Sequence, residues 1–120
     1  ASGAVTGGGA IALTGPARTF LPKQGEVFPI SFVANRNWQT RLRILDLQGR
    51  LVVSLFDSAF DGKPSDDPAN PERIAWDGRD QTYDQVRAGM YVVHLSVVNP
   101  ESGDETVETA PVVVATRLQK

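Results

Sequence analysis

The segment WDGRDQTYDQVRAGMYVV, residues 76–93, carries a large aromatic residue near each end and a polar run between them. The polar run has no apolar periodicity, whereas the last residues alternate as the residues of a strand do. We interpret the segment as a connection between two strands of a β-sandwich. Trp76 and Tyr91 are its predicted anchors, because each aromatic side chain can bury about 150–250 Å² in a core.

Three residues within this segment are predicted to shape its first turn. Asp77 and Asp80 are expected to accept backbone N–H groups, and Gly78 is expected to supply a positive φ. Gly89, near the end of the segment, and Gly49, in a second turn, are assigned structural roles as well. These positions are therefore predicted to hold the fold and not to bind a ligand.

Alternating apolar residues elsewhere predict strands and no helix. The clearest hairpin joins residues 40–47 to residues 51–56 through a turn at Gly49. Residues 57–72 are interpreted as a loop that Phe60 pins to the body. Further strands are predicted at residues 11–13, 18–22, 26–33, 73–76, 91–99 and 106–118, with Pro29 at an edge or bulge and Pro111 interrupting the last strand. About seven short strands with frequent turns predict an all-β fold, an antiparallel sandwich of the immunoglobulin-like or fibronectin III-like kind.

Length and composition limit the possible functions. The 120 residues suit one domain, with residues 1–9 (ASGAVTGGG) as a flexible linker and residues 10–120 as the sandwich. The 12 basic and 14 acidic residues give a net charge of −2, which argues against a nucleic-acid partner. The chain has no cysteine, so disulfides and thiolate metal sites are excluded. No apolar run reaches the ~20 residues of a membrane helix, so no membrane insertion is expected.

One loop contains a candidate binding group. Arg36, Asn37 and Trp38 lie in a polar stretch between two predicted strands. An exposed Trp38 ring would give a sugar a surface on which to stack. The alternative is that Trp38 covers one end of the sandwich.

No cofactor, metal site or catalytic group is predicted. Calcium remains an alternative, because two groups of aspartates offer the oxygen ligands that it prefers. These groups are Asp77, Asp80 and Asp84, or Asp57, Asp61, Asp66 and Asp67. Neither group has the spacing of an EF-hand loop. The one histidine, His94, is expected to point outward, and a zinc site needs more His or Cys ligands than the chain contains. The chain is therefore expected not to be an enzyme.

The order of several short motifs resembles a bacterial immunoglobulin-like domain. The motifs are F-x-P, R-I-x-D-x-x-G-R, W-D-G-R-D and A-G-x-Y, formed here by Phe20, Pro22, Arg43, Ile44, Asp46, Gly49, Arg50, Trp76, Asp77, Gly78, Arg79, Asp80, Ala88, Gly89 and Tyr91. The pattern is similar to the domain first described in flagellar hook-capping proteins, and it covers roughly residues 16–118. The same domain recurs near the C-termini of secreted and cell-surface proteins and overlaps with the sorting domains of type IX secretion. Family members usually have a glycine where residues 81–85 read QTYDQ, so this turn is expected to have a different backbone shape.

The resemblance implies a non-catalytic module of a larger bacterial protein that acts outside the cell or at its surface. Such a module would serve a structural, sorting or anchoring role through a protein partner or the secretion and anchoring machinery. Its targeting signal is expected outside this sequence, which does not begin with Met. The expected docking site is the strand edge at residues 111–118, because edge strands carry unpaired N–H and C=O groups. Two alternatives remain: a carbohydrate-binding module that uses Trp38 and the loop at residues 57–72, and a flagellar hook-cap scaffold.

Overall fold

The computed structural model describes residues 19–20, 27–35, 37–67 and 69–115. Its elements are the strands β1 (Thr19–Phe20), β2 (Phe28–Phe32), β3 (Gln39–Asp46), β4 (Leu51–Asp57), β5 (Glu72–Trp76), β6 (Gly89–Val98) and β7 (Glu105–Val114), with one helical turn, α1 (Ser58–Asp61), after β4. The predicted linker, the predicted strand at residues 11–13, Pro22, Arg36 and residues 116–120 lie outside the described residues. No helix in the described ranges is long and apolar enough to cross a membrane.

Five strands form the large sheet, in the order β1-β7-β6-β3-β4. The neighbouring strands are antiparallel except β1 and β7. That pair is parallel and brings Thr19 beside Val113 and Phe20 beside Val114. β3 and β6 pair along their whole facing lengths, from Gln39 opposite Val98 to Asp46 opposite Tyr91. The centre of the large sheet is therefore made by strands that are far apart in sequence.

The small sheet pairs β2 with β5 in antiparallel order, with Phe28 opposite Trp76. Pro29 lies as predicted in an edge strand, because β5 is the one described neighbour of β2. Inward side chains from both sheets, together with Ala34 just after β2, form a single apolar core. Its sheet members are Phe28, Ile30, Phe32, Leu42, Ile44, Phe56, Trp76, Val93, Leu95, Val97, Val112 and Val114. The rings of Phe32 and Phe56 meet edge-on across the two sheets, with 5.5 Å between their centroids. The prediction of an all-β, sandwich-like fold is confirmed at this level.

The predicted hairpin of β3 and β4 is confirmed. Alternation along β3 buries Leu42 and Ile44 and directs Arg41 and Arg43 to the other side. In the turn between the strands, Gly49 has a φ of 83°. This left-handed conformation costs glycine little because it has no Cβ.

β4 is an edge strand of the large sheet, and its pairing with β3 is irregular. The register shifts at two points, Leu42/Arg43 and Ile44/Leu45. Bulges of this kind leave an extra residue unpaired, bend the strand and increase its twist. β4 therefore does not present a regular ladder along its length.

The loop after β4 differs from the prediction in two ways. It begins with the turn α1, which is capped by the carboxylate of Asp57. Phe60 lies on this turn and is 85% exposed, so the prediction that Phe60 pins the loop is wrong, because the turn carries its ring away from the core. Pro64 pins the loop instead, since it is fully buried. Beside it, the carbonyl of Ser65 accepts the backbone N–H of Ala34 at 3.0 Å.

β7 differs from the prediction in continuity and in position. It runs unbroken through Pro111, which lies opposite Val92, so the predicted interruption is wrong. Proline removes one N–H donor but still allows an extended backbone. The predicted free edge at residues 111–118 is also wrong at Val113 and Val114, because β1 pairs with β7 there.

Candidate binding surfaces

The connection after β5 begins at Trp76, whose side chain is 1% exposed. Its indole N–H donates to the carbonyl of Arg79 at 3.0 Å, so the one polar atom of the ring is satisfied within the fold. The Trp76 ring meets the ring of Tyr91 edge-on, with 5.9 Å between the centroids. Such an aromatic pair contributes about 0.5–1.5 kcal/mol beyond the burial of its area. The contact between Trp76 and Tyr91 therefore joins the two ends of the connection.

Tyr91 lies partly buried near the start of β6. Its hydroxyl donates to the backbone carbonyl of Arg87, four residues earlier in the chain, at 2.8 Å. Burial raises the pKa of the Tyr91 phenol, and the negative charge of Asp46 raises this pKa further. Tyr91 is therefore protonated at neutral pH and available as the donor of this bond.

Aspartate side chains hold the turn between β5 and β6. Asp77 accepts the backbone N–H of Arg79 at 3.1 Å. Asp80 accepts the backbone N–H groups of Thr82 at 2.9 Å and Asp84 at 3.0 Å. The hydroxyl of Thr82 and the backbone N–H of Asp84 hold the pKa of the Asp80 carboxyl below its usual value. These carboxylates satisfy the backbone of the turn.

Two residues of this turn have a left-handed backbone conformation. Gly78 has a φ of 81°, and Tyr83 has a φ of 69°. Tyr83 thus adopts a conformation that glycine favours, at a steric cost. The turn therefore contains a left-handed residue even though residues 81–85 include no glycine. The carbonyl of Tyr83 accepts a guanidinium N–H from Arg79 at 2.8 Å. The Tyr83 ring is 78% exposed and contributes little to the core.

A surface pocket of about 460 Å³ lies between this turn and the hairpin end of β3 and β4. Its polar lining includes Asp46 and Gln85. Asp46 accepts the Nε–H of Arg50 at 2.9 Å, and the Gln85 amide donates to the carbonyl of Gly78 at 2.9 Å. The backbone N–H of Arg50 makes the largest contribution to lowering the pKa of Asp46. Asp46 and Gln85 therefore serve the fold, which favours a structural role for this part of the pocket.

A second pocket, of about 280 Å³, brings together Asn37 and Trp38, which are two of the predicted binding residues. Ser58 and Lys63, from the loop after β4, line the same pocket. Trp38 is partly buried and packs against the core, so part of its ring covers the interior and part remains open. The structure thus joins the two chain segments that the carbohydrate hypothesis requires.

Several of the aspartates considered as calcium ligands bind the backbone or neighbouring side chains. Asp57 accepts the backbone N–H of Ala59 at 3.0 Å as the cap of α1. Asp67 accepts the backbone N–H of Ala69 at 3.0 Å and the amide of Asn70 at 3.1 Å, and the Asn70 amide is the main group that lowers the Asp67 pKa. Within the described ranges, no group of three or more His, Cys, Asp or Glu side chains is placed to hold a metal ion.

The outward side of the large sheet carries an apolar surface that the sequence did not single out. One row across four strands consists of Pro111, Val92, Leu45 and Leu51, and the next row contains Val113 beside Met90. We call these six residues the outer apolar patch. Leu51, Met90 and Val113 are 45%, 47% and 37% exposed. The alternation of each strand identifies which residues face the core. Which outward residues become neighbours depends on the register between strands, which alternation does not determine.

Two side chains with unpaired nitrogens border the outer apolar patch. Arg43 on β3 and His94 on β6 lie directly opposite each other in the next row of the large sheet. Both are partly buried. The Nε atom of Arg43 and the Nδ1 atom of His94 are enclosed and have no hydrogen-bond partner among the described residues. An enclosed donor without an acceptor is costly, and because these two atoms are closed to solvent, a partner outside the sheet can reach only the other atoms of the two side chains.

Comparisons with known proteins do not name a family for this chain. No protein-family model matches it. No curated protein matches it closely enough to count as a relative.

Proposed function

We propose that the chain is a non-catalytic, immunoglobulin-like module of a larger bacterial secreted or cell-surface protein. It acts by protein–protein recognition, in a structural, sorting or anchoring role. The observation that carries the proposal is the strand order of the two sheets. In immunoglobulin sandwiches, strands C, F and G share one sheet, and strands B and E lie in the other. Taking β2, β3, β5, β6 and β7 as B, C, E, F and G gives the same grouping of these five strands, with β4 beside β3 as strand C′.

Tyr91 supports the same assignment from an independent feature. Many immunoglobulin-like sandwiches have a tyrosine near the start of strand F, whose hydroxyl bonds to the backbone a few residues upstream. Tyr91 stands near the start of β6 and donates to the carbonyl of Arg87. This corner also falls in the A-G-x-Y motif, one of those that resemble the hook-capping type of domain.

The exposed side chains favour recognition of a protein. The outer apolar patch is unusual for the solvent side of an antiparallel sheet, which is commonly polar. Contiguous exposed apolar surface is typical of a site that contacts another macromolecule. In the pocket of about 460 Å³, Asp46 and Gln85 are bonded within the fold, so this pocket adds no argument for catalysis.

A reporter experiment tests this function. An exported reporter enzyme would carry residues 1–120 at its C-terminus in a bacterium with a type IX secretion system. We expect the fusion to accumulate at the cell surface, as measured by protease accessibility and surface labelling. The matched control carries an unrelated β-sandwich of similar length. Equal retention of both fusions inside the cell would contradict the sorting and anchoring role.

A carbohydrate-binding role is the second candidate, and the pocket at Trp38 favours it. That pocket combines a partly open indole with the side chains of Asn37 and Lys63, which are suited to stacking on a sugar and bonding to its hydroxyls. A glycan array with the intact chain tests this role. Binding that disappears in Trp38→Ala and persists in Phe60→Ala would favour it over protein recognition.

A further inference from the structure

The outer apolar patch is continuous across the large sheet. Val92 and Leu45 are direct neighbours on β6 and β3, and Leu51 extends the same row to β4. Met90 and Val113 form the adjacent row on β6 and β7. The patch therefore crosses four strands and does not consist of scattered apolar residues, which would need no explanation.

The row that borders this patch carries the positive charge of Arg43 and is incompletely bonded. Arg43 and His94 face each other there, and each has an enclosed nitrogen without a partner among the described residues. The ends of this row are neutral, with Ser54 beside Arg43 and Thr109 beside His94. No carboxylate of the row itself is therefore available to the guanidinium of Arg43.

The other arginines near this face already have acidic partners. Arg41 lies 3.6 Å from the carboxylate of Asp57, and Arg50 lies 2.9 Å from that of Asp46. Arg43 has no ion pair within the part of the chain that the structure describes. It is thus the cation of this face whose charge remains to be matched. Carboxylates bind guanidinium groups with two parallel hydrogen bonds in favourable geometry.

We propose that the outward side of the large sheet binds a segment of another protein in which apolar side chains are followed by a carboxylate. The apolar side chains cover the outer apolar patch, and the carboxylate accepts hydrogen bonds from Arg43. This inference rests on the proposed role in protein recognition and names its surface and the chemistry of its partner.

A second copy of the chain fits this surface less well than a different protein does. Two of its outward carboxylates already have partners, since Asp57 is paired with Arg41 and Glu105 accepts the hydroxyl of Ser96 at 2.7 Å. Two copies packed face to face would also present two identical surfaces, each with the unpaired positive charge of Arg43.

Two synthetic peptides test the inference on the intact chain. One carries four alternating apolar residues followed by Glu, and its matched control has Lys in place of Glu. Fluorescence polarisation measures the binding of each labelled peptide. We expect the Glu peptide to bind at least about tenfold more tightly than the Lys peptide, because the charge pairing is desolvated at the edge of an apolar surface. Arg43→Gln should abolish this preference, and Leu51→Ser should weaken the binding of both peptides.

Val107→Ser is the matched control, because Val107 is 45% exposed on the same strand as Val113 but lies outside the patch. It should bind both peptides as the unaltered chain does. Equal binding of the two peptides, no binding of either, or a preference that survives Arg43→Gln would overturn the proposal. A concentration-dependent dimer in sedimentation that is lost in Leu51→Ser would identify a second copy as the occupant and overturn it as well.

The reporter fusion separates this inference from the proposed function. One fusion would carry both Arg43→Gln and Leu51→Ser. If it still reaches the cell surface, the proposed function is retained, but this face of the sheet has no part in it. Failure of the unaltered fusion would count against the function itself.

Discussion

The ring of Tyr91 lies edge-on to the indole of Trp76, with 5.9 Å between the ring centroids, although the two residues belong to different sheets. Trp76 ends β5 in the small sheet, and Tyr91 begins the paired part of β6 against β3 in the large sheet. The contact therefore closes the connection between them and fixes the spacing of the sheets at that end. Its stability depends on the polar atom of each ring as well as on the ring faces.

Tyr91→Phe should lower the free energy of unfolding by about 1 kcal/mol, because it removes the hydrogen bond to the carbonyl of Arg87 and keeps the ring. Urea denaturation followed by circular dichroism measures the change. Tyr83→Phe is the matched control, since the Tyr83 ring is 78% exposed. Equal stability of the two variants would contradict a structural role for the Tyr91 hydroxyl.

Tyr83→Gly should raise the free energy of unfolding by about 0.5–1 kcal/mol. The φ of 69° at Tyr83 is strained for a residue with a Cβ, and the gain is reduced by the greater freedom of glycine in the unfolded chain. Tyr83→Ala retains the Cβ and should not be stabilised. Thermal and chemical denaturation of the two variants compare them directly. A Tyr83→Ala chain as stable as Tyr83→Gly would show that this backbone is unstrained.

The phenol of Tyr91 should ionise at a pH above the ordinary tyrosine value of about 10. Burial and the charge of Asp46 raise its pKa in the folded chain, so the stability that this group contributes is complete below the unfolded pKa and is lost as pH rises through the folded pKa. Because the chain has 2 tyrosines, ultraviolet titration of Tyr83→Phe observes Tyr91 alone. A midpoint at or below the ordinary value would contradict the burial of this ring.

Asp80→Asn should reduce the loss of stability in acid. The folded pKa of Asp80 lies below its unfolded value of about 3.9, so its contribution is present above the unfolded pKa and disappears as pH falls through the folded pKa. Asparagine cannot titrate, and the difference in stability between the two chains should therefore shrink as the pH is lowered. Denaturant midpoints across this range measure it. A constant difference at every pH would show that the charge of Asp80 does not support the turn.

Phe60→Ser should leave the free energy of unfolding nearly unchanged, because the Phe60 side chain is 85% exposed. Phe56→Ala, in contrast, should lower it by about 3–5 kcal/mol, since Phe56 is buried against Phe32 and its removal leaves a cavity. The same denaturation experiment compares the two. A large loss in Phe60→Ser would restore the prediction that Phe60 holds the loop.

The sequence predicts those parts of the fold in which local pattern and tertiary packing agree. The alternation in β3 identifies Leu42 and Ile44 as core residues, and Gly49 marks the turn that follows. The prediction for Phe60 is wrong because an apolar residue in a polar loop gives no periodicity that indicates where its side chain points. The turn that exposes it depends on the cap formed by Asp57.

The residues of each candidate surface come together through strand register and loop packing. Neither can be read from a short stretch of sequence. Trp38 and Lys63 share a pocket only because the loop after β4 folds beside the start of β3. Arg43 and His94 are separated along the chain and meet through the pairing of β3 with β6. The left-handed conformation of Tyr83 has no sequence signal, since glycine is the residue that ordinarily marks it.

The two bulges of β4 affect how many copies of this chain behave when they are crowded. A foreign strand laid along that rim would find N–H and C=O groups that do not repeat at the spacing of a flat ladder, and zipper-like stacking needs such a repeat. Growth of a fibre from this rim is therefore disfavoured when copies of the module are crowded together.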